Sequence, residues 1–118
     1  MSTILVIDDE KMVLEIIETA LTTFGHYVEL AEDGEEGIRK FDEGLYDLVI
    51  TDLIMPNADG KEVVDHIRNS KKRKTPIIGI SGTPWMMEGS GVDSILSKPF
   101  PIKALLDTVR TLVPATVN

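Results

Sequence analysis

The sequence predicts an α/β protein in which a doubly wound, five-stranded parallel sheet is covered by helices on both faces. Two observations carry this expectation. Short runs rich in β-branched residues alternate along the chain with longer stretches whose apolar residues recur at helical spacing. The short runs are largely apolar throughout, which suits strands buried on both faces. Strands alternating with helices imply right-handed crossovers and parallel neighbours. The length of 118 residues fits one domain spanning positions 1–118.

Thr3-Ile4-Leu5-Val6-Ile7 reads as the first strand. Beyond Asp8-Asp9-Glu10 the period changes: Val13, Ile16, Ile17, Ala20, Leu21 and Phe24 mark a helix, with Gly25 as its stop. Tyr27–Ala31 is the second strand. Asp33 with Glu36 three residues on has the form of a capping box, and Ile38, Phe41 and Leu45 mark the buried side of the helix it opens. Asp47-Leu48-Val49-Ile50-Thr51 is the third strand, ending at Asp52. A loop through Met55-Pro56 leads to Asp59 and Glu62, which cap a helix burying Val63, Val64 and Ile67. The basic run Lys71-Lys72-Arg73-Lys74 reads as a solvated loop before the fourth strand, Pro76–Ile80, which ends at Ser81. Ser94–Ser97 is the brief fifth strand. Pro101 sits where a last helix begins, with Ile102, Leu105, Leu106, Val109 and Leu112 inward.

Composition removes several classes of function. No cysteine is present, which excludes disulfide scaffolds, thiolate zinc sites and thiol catalysis. Twenty acidic residues against twelve basic give a net charge of −8, so nucleic acid and anionic membranes are disfavoured partners. No run approaches the roughly 18 apolar residues of a membrane span, and the N-terminus lacks the pattern of a signal peptide. The expected location is cytoplasmic.

In open parallel sheets the ligand site lies beyond the carboxyl ends of the strands. Those ends carry Asp8 and Asp9, Asp52, Ser81 and Lys98. Carboxylates converging on one rim raise one another's pKa values unless protonated, splayed, paired with a cation or bound to a metal. An all-oxygen set suits a hard divalent ion, Mg²⁺ above all in phosphate chemistry. A lysine and a serine on the same rim would complete a set of parts for handling a phosphoryl group, with one carboxylate as nucleophile. Each residue alone has a blander reading: Asp9 as a helix cap, Asp52 as a loop cap, Ser81 as a turn residue, Lys98 as a solvated lysine.

Taken in order, these residues resemble the receiver domain of two-component response regulators. The likeness rests on the acidic pair Asp8-Asp9, Asp52 followed by Met55-Pro56, Ser81, and Lys98-Pro99-Phe100, and runs from Ile4 to about Leu112. It implies the flavodoxin-like strand order 2-1-3-4-5. It also implies that Asp52 accepts a phosphoryl group from a sensor histidine kinase or phosphotransfer protein, acting as a switch and not as a turnover enzyme. Mg²⁺ would be held by Asp9, Asp52 and the main-chain carbonyl of Ile54, with Asp8 helping through a water. Ser81 and Lys98 would contact the acyl phosphate, and Ile54 and Thr83 would tune its hydrolysis. The Lys98–Pro99 bond is usually cis in the family. A monomer or weak homodimer is expected, with no direct nucleic-acid contact.

The sequence also departs from that pattern. Between Ser81 and the fifth strand, residues 82–91 hold three glycines and a proline, so a helix there is expected to be shortened or missing. Trp85, Met86 and Met87 in that segment fit either a contact surface or a fold-back over the core edge. Ile95 stands where receivers usually carry an aromatic switch residue. Ile54 offers no hydrogen bond to orient an attacking water, so slow loss of phosphate is expected. A haloacid-dehalogenase-type phosphatase would need an acid at position 54, and a flavodoxin-like cofactor binder would want a Ser/Thr/Gly-rich loop after the first strand. A pseudo-receiver scaffold stays open as the alternative. The sequence stops at Asn118, compatible with a stand-alone regulator or a piece of a longer one.

Overall fold

The apolar runs become strands because their β-branched residues fill a pleated surface buried on both sides. The computed structural model describes residues 2–55, 59–82 and 91–113. β1 (Thr3–Ile7), β2 (Tyr27–Ala31), β3 (Leu48–Asp52), β4 (Ile77–Ser81) and β5 (Ser94–Ser97) form one sheet in the order β2-β1-β3-β4-β5. Every neighbouring pair is parallel, with Leu5 opposite Val49 and Asp52 opposite Ile80. The helices are α1 (Lys11–Thr23), α2 (Gly34–Glu43), α3 (Gly60–Arg68) and α4 (Ile102–Leu112).

The period of two along β1 assigns the layers. Ile4 and Val6 pack with Leu14, Ile17 and Leu21 of α1 and Leu105 and Val109 of α4. Leu5 and Ile7 point the other way, onto Phe41 of α2 and Val63, Val64 and Ile67 of α3. Burying residues on both faces of the sheet is what fixes its strand register, since a one-residue slip would exchange the two cores.

The end signals act as read. Asp33 accepts from the Glu36 amide at 2.8 Å, and Glu36 reaches back to the Glu32 amide at 2.7 Å. Asp59 accepts from the Glu62 amide at 3.1 Å. Gly25, at φ +88°, ends α1 in the left-handed region that favours glycine.

Several apolar residues read as inward are not. Leu45 is 82% exposed, and Ile16, Phe24 and Ile102 are also exposed. Leu45 lies past the end of α2, where helical spacing no longer sets its direction. On α1, Leu14 takes an inward place that the spacing had given to Ile16. Strand starts also differ by a residue, β3 beginning at Leu48 and β4 at Ile77, while Asp52 and Ser81 end β3 and β4 as read; beyond Asp52 the Leu53 N–H donates to the Ile80 carbonyl at 3.1 Å. In the basic run, Lys71, Arg73 and Lys74 are exposed. Lys72 is not merely solvated. Its ammonium donates to the carbonyls of Phe41 and Gly44 and lies 4.3 Å from the Phe41 ring centre, tying the end of α2 to the loop before β4. Among the described residues no helix lies between β4 and β5; the expected shortening falls largely on 83–90, outside those residues. No helix among the described residues is long and apolar enough to cross a membrane.

Candidate functional site

The parallel topology delivers one end of every strand to the same edge. β1 ends at Ile7, and the Asp8 amide extends the ladder to the Ala31 carbonyl at 3.1 Å, leaving Asp8 and Asp9 at the carboxyl edge. β3 ends on Asp52 and β4 on Ser81, both buried. β5 passes directly into Lys98, whose amide donates to the Ser81 carbonyl at 2.9 Å. The Lys98–Pro99 peptide is cis.

The Lys98 ammonium joins these ends. It donates to Asp52 Oδ2 at 3.0 Å and to Glu10 Oε1 at 2.8 Å, and lies 3.5 Å from Asp8 Oδ2. Asp52 Oδ1 accepts the Ile54 amide at 3.1 Å, so each oxygen of this carboxylate has one donor. Asp8 Oδ1 accepts the Glu10 amide at 2.9 Å. Asp8 Oδ2 is buried and accepts no hydrogen bond; the ammonium at 3.5 Å supplies charge and not a bond.

Burial of Asp8 is the main force on its carboxyl, helped by the charge of Asp52 and opposed by the Glu10 amide and Lys98; its pKa is pushed up to about 6. Burial works against the charge on Lys98, but hydrogen bonds to Glu10 and Asp52 and the charges of Asp8 and Asp52 outweigh it. The lysine is held above its usual range and stays protonated.

One carboxylate oxygen from each of Asp8, Asp9, Glu10 and Asp52 lies within 4.8 Å of the others. The donor set is all oxygen, one of its buried atoms lacks a hydrogen bond, and among the described residues the Lys98 ammonium is paired with three of the four acids. A hard divalent cation such as Mg²⁺ fits these residues.

The structure thus brings Asp8, Asp9, Asp52, Ser81 and Lys98 to one edge. The Ile54 side chain is 66% exposed beside it. Thr83 lies outside the described residues, as do Trp85, Met86 and Met87. Asp9 does not cap α1: Glu10 occupies the capping position, and no side chain there bonds the helix. Glu10 is the participant that sequence reasoning missed. It was visible as a third acid after β1, but its partner Lys98 is 88 residues away. Ile95 is exposed on β5.

Comparison with known proteins decides the family, since the response regulator receiver domain model matches residues 4–110. The chain belongs to that family. This receiver is 34% identical over 112 residues to the transcriptional regulatory protein DltR of Streptococcus agalactiae, covering 91% of the chain and 50% of that relative. It is 35% identical over 118 residues to the response regulator ArlR of Staphylococcus epidermidis, covering 96% of the chain and 53% of the relative. The chain spans about half the length of the curated relatives it matches. Among solved structures, the chemotaxis response regulator CheY4 of Vibrio cholerae superposes with TM-score 0.90 at 29% identity, covering 96% of this chain and 99% of that one. TrrA of Thermotoga maritima, solved in complex with Mg²⁺-BeF, gives TM-score 0.88 at 36% identity, covering 96% and 100%. The receiver domain of the sensor histidine kinase PA1611 of Pseudomonas aeruginosa, solved with magnesium in its active-site cleft, gives 0.87 at 26%, covering 94% and 96%. The family and the fold together make this chain a receiver of phosphorylation-dependent two-component signalling.

Proposed function

We propose that Asp52 is the phosphoacceptor, charged by a phosphohistidine of a sensor histidine kinase or phosphotransfer protein. The observation that carries this is the Asp52 carboxylate, nearly buried at the end of β3, paired to Lys98 at 3.0 Å and set among three other acids. An Asp52 oxygen attacks phosphorus. The bond from phosphorus to the donor imidazole nitrogen breaks, its electron pair stays on the imidazole, and an acyl phosphate forms. Asp8, Asp9 and Asp52, with the Ile54 carbonyl, would hold Mg²⁺. The bound ion would offset charge on the transferring phosphoryl oxygens. Lys98 is already against Asp52 and follows the new charge onto the phosphoryl group, while the Ser81 hydroxyl donates to another of its oxygens.

The domain turns over no external substrate and loses its own phosphate slowly. Ile54 cannot orient a water by hydrogen bonding; Thr83 occupies the second tuning position. A faster loss of phosphate in the natural protein than in Ile54→Asn would refute that role. The receiver unit fills residues 1–118, works in the cytoplasm as a monomer or weak homodimer, and makes no nucleic-acid contact of its own. The test is incubation with Mg²⁺ and acetyl phosphate, reading intact mass. A phosphoryl adduct on the natural protein that is absent from Asp52→Ala supports the proposal. An equal adduct on both removes Asp52 from the role.

A further inference from the structure

The Lys98 ammonium is shared, and its shorter bond goes to Glu10, not to the nucleophile: 2.8 Å to Glu10 Oε1 against 3.0 Å to Asp52 Oδ2. Glu10 begins α1, where an acidic side chain ordinarily accepts helix amides. Here it accepts none, and no acid stands in the first turn behind it. Its backbone is held by the amide bond to Asp8 Oδ1 at 2.9 Å, and its carbonyl accepts the Leu14 amide at 3.1 Å. The side chain is therefore free of the helix and reaches across the mouth of the site, 60% exposed, to the far strand end.

We infer that Glu10 is a positioning residue: it retains Lys98 in the unphosphorylated protein and competes with the phosphoryl group for it, making the charged state harder to reach. The inference rests on Asp52 being the phosphoacceptor. When Asp52 acquires phosphoryl oxygens, Lys98 moves toward them, and the Glu10 bond is the one that this movement stretches. Asp52 and the phosphoryl group remain one covalent unit, so movement toward the new oxygens does not abandon Asp52. Neutralising Glu10 removes the competitor without shortening the side chain.

The test uses beryllofluoride as a phosphoryl mimic at saturating Mg²⁺, its affinity read by fluorine NMR on four proteins: natural, Glu10→Gln, Lys98→Ala and the double variant. Glu10→Gln is expected to tighten binding about threefold to fivefold, the scale of a part-exposed ion pair. The same change made in Lys98→Ala is expected to do nothing. An equal gain in both backgrounds would mean a through-space charge effect and would overturn the inference. So would unchanged or weaker binding in Glu10→Gln, the latter assigning Glu10 to the cation. In those cases beryllofluoride still binds the natural protein and the reading of Asp52 stands. If the natural protein binds none, both fall together.

Discussion

Asp8 gives the most quantitative prediction, because its carboxyl is fully buried, has one oxygen without a hydrogen bond, and is pushed up to about 6 from an ordinary 3.8. The folded protein holds this proton more tightly than the unfolded chain does. Stability from the protonated form is therefore complete below about pH 4, falls as pH rises through about 6, and levels off above it. At ~1.4 kcal/mol per pH unit, the cost of ionised Asp8 near neutrality is about 3 kcal/mol. Asp8→Asn removes the titration while keeping an acceptor for the Glu10 amide. In denaturant unfolding with EDTA, the variant should be more stable than the natural protein by about 2–3 kcal/mol near pH 7.5. The advantage should shrink to about 1 kcal/mol near pH 4.5. Mg²⁺ should largely cancel the difference, since saturation at about a hundred times its Kd stabilises the natural protein by ~2.7 kcal/mol. A variant no more stable than the natural protein in EDTA near pH 7.5 would refute the reasoning about burial.

Other consequences follow from particular contacts. Gly60→Ala places a Cβ in collision with both the Asp52 carbonyl oxygen and the Leu53 Cα, so backbone beside the nucleophile must shift. Thermal unfolding should show a loss of about 2–4 kcal/mol, with slower uptake of phosphoryl from acetyl phosphate. Lys72→Met removes the bonds to the Phe41 and Gly44 carbonyls and the contact with the Phe41 ring. It should cost about 1–3 kcal/mol in urea unfolding while leaving phosphorylation unchanged. Arg68→Ala frees the Gly91 and Thr75 carbonyls and the Asp93 carboxylate. Amide exchange should speed at Ile77, whose N–H is held by that carboxylate at 2.8 Å.

Much of this was legible in the residues. A strand buried on both faces leaves a dense β-branched run such as Thr3–Ile7, and capping acids sit three residues from the amide or acid they serve, as Asp33 and Asp59 do. The order of strand ends was enough to gather Asp8, Asp52, Ser81 and Lys98. What spacing could not supply was direction at element boundaries. Leu45 follows α2 and turns out to solvent, and Ile102 opens α4 before its inward stripe is established. Nor could it supply pairings between distant segments. Lys72 reaches back 31 residues to Phe41, and Lys98 reaches 88 residues to Glu10; neither partner is marked by its neighbours. Asp8 was read as one of an acidic pair, but only the fold shows it fully buried and Asp9 exposed.

The central claim is that Asp52 itself carries the phosphoryl group, and locating the modification tests it most directly. The protein would be phosphorylated with acetyl phosphate and Mg²⁺, treated with borohydride to reduce the acyl phosphate, digested and sequenced by mass spectrometry. The account predicts homoserine at position 52, absent when acetyl phosphate is omitted. Reduction at Asp8 or Asp9 with Asp52 intact, or phosphorylated protein yielding no homoserine, would contradict it.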